Sequence, residues 1–159
     1  MRLTLAAFML LPSAAWAEPA TIASIVDGDT VCVTMSVEPM PPAGKPAYVR
    51  CLDGSLKVRV EGLDTPEKTQ PAPGESLMGW HARCAAEAVL GQQATAFAVE
   101  RMPVGKPVDV VVIEKGEKWG RVLARLYVDG REWAAIVIEA GLGVPYFGRT
   151  KTSWCPPLD

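Results

Sequence analysis

The sequence predicts a mainly β domain with attached helices, an α+β fold arranged as a small antiparallel barrel. Three observations lead there. Short β-rich runs are separated by Asp-Gly, Gly and Pro turn signals; one long and one short segment rich in Ala and Glu have helical composition; and strands and helices do not follow the strict βαβ order of a parallel sheet. With 159 residues, 49% of them hydrophobic, the chain can bury a core as one domain.

In chain order, Thr21 to Thr34 alternates short apolar residues around Asp27-Gly28, which predicts two strands joined tightly. Pro39, Pro41, Pro42 and Pro46 exclude a central strand from the next segment. Ala47 to Leu52 and Leu56 to Leu63 flank Asp53-Gly54 and predict a hairpin. Thr65 to Gly74 is a polar loop. Ser76 to Met102 predicts helix, ended by Pro103 and Gly105, with Gly91 as a point where it can divide in two. Val108 to Glu114 and Gly120 to Val128 predict strands, the second followed by an Asp129-Gly130 turn. Glu132 to Ala140 predicts a short helix with Gly141 as its stop, and the tail from Val144 to Asp159 is expected as loop.

Charge and histidine content narrow the chemistry. Sixteen Lys and Arg against 18 Asp and Glu give a net charge of −2, so nucleic-acid binding needs a local basic cluster rather than a global field. The single histidine, His81, excludes a two-His zinc site and is the one residue on which a Ser-His-acid triad could be built.

Arg2, the apolar run Leu3 to Leu11 and Ala15-Trp16-Ala17 predict a secretory signal peptide over 1–17, leaving 18–159 as one domain. The apolar run is shorter than the ~20 residues that span a bilayer, so no membrane span is expected after cleavage. An exported protein, periplasmic or secreted, meets conditions in which cysteines pair. Cys32, Cys51, Cys84 and Cys155 contain no Cys-x-x-Cys and allow three connectivities. The expected pairs are Cys32 with Cys51, within one β region, and Cys84 with Cys155, tying the tail to a helix.

Three segments carry residues suited to chemistry. Asp27-Gly28-Asp29-Thr30 places two carboxylates beside a tight turn, as a hard cation requires and as a plain turn into a strand also does. In Arg59 to Glu67, strand alternation puts Arg59, Glu61 and Leu63 on one face, with Asp64 and Glu67 where the chain leaves the sheet. Arg59 is either a surface cation or aimed at an anion, and Asp64 either caps the loop or serves a site. Glu117-Lys118-Trp119-Gly120-Arg121 combines a glycine that permits close approach with an arginine suited to phosphate oxygens; a charged exposed loop has the same composition.

Together, Asp27-Gly28-Asp29-Thr30-Val31, Arg59 before Asp64-Thr65-Pro66-Glu67, and Lys118-Trp119-Gly120-Arg121-x-Leu123-Ala124 resemble, in order and detail, the thermonuclease family of staphylococcal-nuclease-like domains. The resemblance spans roughly Ile22 to Phe147. It implies a five-stranded oligonucleotide-binding-type barrel with attached helices. It also implies Ca²⁺ held by Asp29, Asp64 and the carbonyl of Thr65, Glu67 as general base or water-orienting group, and Arg59 and Arg121 on the scissile phosphate. Asp27 would shape the turn. The implied reaction is low-specificity hydrolysis of DNA or RNA phosphodiesters leaving 3′-phosphates, with single strands preferred and Lys118, Trp119 and Tyr146 as substrate contacts; Phe147 serves either substrate or packing. A monomer is expected.

Several features depart from the family pattern. The connection from Thr30 to Arg59 and the stretch from Lys68 to Leu90 are long, His81 is expected on a helix surface, and no third helix follows Phe147. Lys57, Arg59, Lys118, Arg121, Arg125, Arg149 and Lys151 are candidates for a positive rim. The alternative is a non-catalytic module that binds nucleic acid or protein on the same barrel; a structural envelope protein would explain the export and the cysteines but not the ordered Asp, Glu and Arg residues.

Overall fold

The computed structural model describes residues 17–76, 78–114, 117 and 119–157. The expected signal sequence and Lys118 therefore lie outside the described residues, except for Ala17. The elements are β1 (Glu18–Ile25), β2 (Thr30–Met35), β3 (Leu56–Val60), β4 (Gly62–Asp64), α1 (Ala85–Arg101), β5 (Pro107–Glu114), β6 (Val122–Val128), β7 (Arg131–Glu132), α2 (Trp133–Glu139) and β8 (Val144–Tyr146).

Five strands close a barrel in the order β3-β2-β1-β5-β6, with β3 returning to pair with β6. The closing pair is parallel, Val58 opposite Val122 and Val60 opposite Ala124, while the other barrel pairs are antiparallel. The barrel is thus mixed rather than wholly antiparallel. That follows from its closure, since β3 and β6 belong to different hairpins and meet only when the sheet curls round.

Strand alternation fills the interior. On β6, Val122, Ala124, Leu126 and Val128 are buried, and Arg125 between them is exposed. Ile22, Val31, Val33, Leu56, Val58 and Val110 complete the core with Trp133 from α2. The alternation expected through Arg59, Glu61 and Leu63 does not hold. The strand breaks at Glu61-Gly62, where Gly62 has φ +75°, and Val58, Arg59, Val60 and Leu63 are all buried.

Three further expectations are corrected. Ala47 to Leu52 is not a strand; its pairing is the single bridge Arg50–Leu56, and the Pro-rich chain before it leaves no regular partner. The long helix starts at Ala85, not Ser76, and runs unbroken through Gly91. The tail is not all loop, because Val144–Tyr146 pairs antiparallel with β4.

Cys84 caps α1, its sulfur accepting from Glu87 N–H at 3.4 Å. The buried stripe Glu87, Ala88, Gly91, Ala94 and Ala98 is nearly all small, so the helix axis lies close to the loop carrying Pro66 and Glu67. Phe97 stacks on Trp133 at 5.8 Å and joins the two helices. Both expected disulfides are formed, Cys32–Cys51 and Cys84–Cys155. No helix among the described residues is long and apolar enough to cross a membrane.

Candidate functional site

The turn between β1 and β2 carries Asp27 and Asp29. Asp27 Oδ1 accepts from Asp29 N–H at 3.1 Å, the turn-shaping role expected of it. Burial raises the Asp27 carboxyl above its ordinary range, and Arg59, Lys68 and Arg121 only partly oppose it. Trp133 Nε1 donates to Gly28 O at 3.0 Å from within the core. A side chain on Gly28 would meet Thr65 Cγ2 at 2.8 Å and Ala94 Cβ at 3.1 Å, so glycine is what lets this turn seat between the site loop and α1.

Asp29 is 7% exposed and Asp64 1%, and one guanidinium bridges them. Arg59 Nη1 pairs with Asp29 Oδ1, and Arg59 Nη2 lies 3.5 Å from Asp64 Oδ1 while donating to Leu63 O at 2.8 Å. Thr65 N–H donates to Asp29 Oδ2 at 2.9 Å, tying together two motifs far apart in sequence. Burial and then the nearby Arg121 hold Arg59 below the usual arginine range, opposed by Asp27, Asp64 and Glu67. Buried charges on this scale are kept only when paired, so Asp29, Arg59 and Asp64 stand or fall as a unit.

Glu67 sits at the mouth. Burial raises its carboxyl, Lys151 opposes, and Asp27 and Asp64 add to the rise. Glu87, buried in α1, accepts from Arg83 N–H at 2.7 Å and from Glu67 N–H at 3.5 Å, so the helix end braces the loop. Lys151 Nζ lies 3.0 Å from Asp64 Oδ1 and 3.1 Å from Glu67 Oε1. Burial alone would lower its ammonium; Asp64 and Glu67 outweigh that and raise it. Beside these groups opens a cavity of about 150 Å³, lined also by Met78, His81, Arg83, Thr152 and Trp154.

Arg121 donates from Nε to Glu117 Oε1 at 2.6 Å and from Nη1 to Thr30 Oγ1 at 3.4 Å, which directs it to the Asp29 turn. Trp119 is 67% exposed at the turn before β6, and Tyr146 is half-buried on β8 opposite Gly62; neither lines the cavity. His81 is not on a helix surface. It is buried before α1, with Nδ1 accepting from Met78 N–H at 3.1 Å and Nε2 3.6 Å from Glu75. Of the rim candidates, Arg125 is taken up by Glu61 and Glu132.

Glu87 was not singled out in the sequence, although Cys84-x-x-Glu87 has the spacing of a capping box. Lys151 was placed only in the rim, because nothing in its neighbours reports which carboxylates it reaches.

The donor set fits a hard divalent cation. Asp29, Asp64 and the Thr65 carbonyl offer oxygen alone, the two carboxylates are buried, and Arg59 and Lys151 are among the groups that now meet their charge, with neutral donors from Thr65 and Thr30 on Asp29. Among the described residues, the cluster of three Cys, His or carboxylate ligand atoms within 4.8 Å of one another is Cys84, Glu87 and Cys155, whose sulfurs are committed to the disulfide.

The closed five-stranded barrel thus gathers buried carboxylates, two arginines and a half-buried glutamate in one place. The staphylococcal nuclease homologue family model matches residues 57–154, and the chain belongs to that family. That family is generally one of nucleases.

Proposed function

We propose that the protein is an exported, calcium-dependent nuclease that hydrolyses DNA or RNA phosphodiesters with low sequence specificity and leaves 3′-phosphates. The observation that carries this reading is the buried knot of Thr65, Asp29, Arg59 and Asp64, which spends three charges inside the fold at the mouth of the barrel. Burying charges costs folding free energy even when they are paired, so a cluster kept here is in keeping with a working site.

Asp29, Asp64 and the Thr65 carbonyl would hold the cation. Bound there, Ca²⁺ would supply positive charge to offset that of the phosphate. Glu67 takes a proton from the attacking water. The new P–O bond forms as the bond to the 5′ oxygen breaks, and that oxygen takes up a proton from solvent water to leave as a hydroxyl. Arg59 and Arg121 orient the phosphate and offset the charge that grows on it. Lys118, Trp119 and Tyr146 contact a single-stranded substrate. Residues 1–17 direct export, the two disulfides suit an oxidising compartment, and the protein acts as a monomer.

The test is cleavage of single-stranded DNA and RNA by the oxidised protein starting at Glu18, titrated with Ca²⁺ and then EGTA. Cutting that rises with Ca²⁺, stops with EGTA and yields 3′-phosphate ends is the expected result. Binding without cutting at any Ca²⁺ level would instead establish a non-catalytic module.

A further inference from the structure

The C-terminal tail enters the site in a way the proposed chemistry does not use. Lys151 Nζ is within hydrogen-bond distance of Asp64 Oδ1, a proposed cation ligand, and of Glu67 Oε1, the proposed base. Four residues on, Cys155 is bonded to Cys84, the N-cap of the helix whose Glu87 braces Glu67. Four residues reach at most ~14 Å, so the disulfide keeps the Lys151 backbone beside the site.

Arg59 also faces Asp64, but its head is tied down by hydrogen bonds to Leu63 O and Asp29 O. Lys151 reaches in from outside, with 37% of its side chain exposed, and is the cation able to withdraw. An ammonium and a divalent ion on the same carboxylate oxygen are like charges in contact. One must leave or both bind less well.

We propose that Lys151 is a tethered internal cation that competes with the divalent cation for Asp64 and so sets the metal affinity of the site, with Cys84–Cys155 supplying its high local concentration. The inference rests on the cation site proposed above. A short tether makes the competition intramolecular, at an effective concentration in the millimolar range. Two equivalents of a thiol reductant convert the bond to two cysteine thiols and leave as their own disulfide, after which Lys151 competes only as a loose tail. Metal affinity then rises.

The test is calorimetric titration of Ca²⁺ into oxidised wild type, Lys151→Met, Lys151→Arg and the Cys84→Ser/Cys155→Ser pair. Lys151→Met is expected to bind at least tenfold tighter, Lys151→Arg to stay near wild type, and the serine pair to move toward Lys151→Met. Adding Lys151→Met to the serine pair is expected to gain less than it gains in wild type. Equal or weaker binding by Lys151→Met would overturn the inference, and equal gains in both backgrounds would overturn the tether. If the serine pair fails to fold, the two Lys151 variants decide the competition alone, and wild type titrated before and after mild thiol reduction decides the tether. No heat of binding in any form would overturn the cation site itself.

Discussion

Replacing Gly91 with alanine sets two effects of opposite sign against each other. Gly91 is buried in the interior of α1, where helix propensity alone favours alanine by ~1 kcal/mol. A Cβ there would lie 2.5 Å from the Glu67 carbonyl carbon and 2.6 Å from both the Glu67 and Pro66 oxygens. Carbon contacts are comfortable only beyond about 3.5 Å, so helix and loop must part by roughly 1 Å. These are backbone atoms with no rotamer to escape into, which places the cost at the upper end of the ~1–3 kcal/mol typical of overpacking. The net expectation for Gly91→Ala is a loss of about 1–2 kcal/mol, or roughly 3–6 °C in melting temperature for a domain of this size. Urea unfolding of the two oxidised proteins, at matched slopes, measures it. Stability equal to wild type or higher would refute the close-approach argument and leave propensity in charge.

Other predictions concern what holds the site in place. Trp133→Phe leaves the buried Gly28 carbonyl without its donor and should cost ~1–3 kcal/mol by urea unfolding; a neutral result would show that the bond does not anchor the Asp29 turn. Loop lengths of 19 and 71 residues predict losses of about 3 and 4 kcal/mol for removing Cys32–Cys51 and Cys84–Cys155, so the second pair of serines should melt lower. The reverse order would contradict the loop argument. Arg50 hydrogen-bonds Glu38 at 2.8 and 2.6 Å and holds its carboxyl below the ordinary 4.5. That contribution is fully present above pH 4.5 and is lost as pH falls through the lowered value. Both side chains are substantially exposed, so the gap between wild type and Glu38→Gln should stay under ~1 kcal/mol at pH 6. It should close at the acid end, and a gap unchanged there would exclude the ion pair as its source.

Elements whose evidence is local were legible in the sequence. β1 and β2 follow from alternation around Asp27-Gly28, β6 from its apolar period, and α2 from its composition and Gly141. What was not legible depends on contacts distant in sequence. β8 is three residues that become a strand only because β4 lies beside them. The parallel β3–β6 pair exists only on closure. Residues before Ala85 have helical composition, yet Cys84 caps the helix there and His81 is buried against the turn that precedes it. Gly91 looked like a helix break because propensity was visible and the Glu67 backbone against it was not. In the site, Asp29, Arg59 and Asp64 stood out through residue type and spacing and Thr65 through the family resemblance, and the structure brings them together. Glu87 and Lys151 did not, since their partners are set by the seating of α1 and by the disulfide route of the tail.

Turnover of single-stranded DNA by oxidised wild type and by Glu67→Gln, at saturating Ca²⁺ and with EGTA controls, bears most directly on the proposed nuclease site. Removing a general base should lower turnover at least ~100-fold while the melting temperature stays near that of wild type. Equal turnover in the two proteins would contradict the assignment of Glu67 and with it the proposed mechanism.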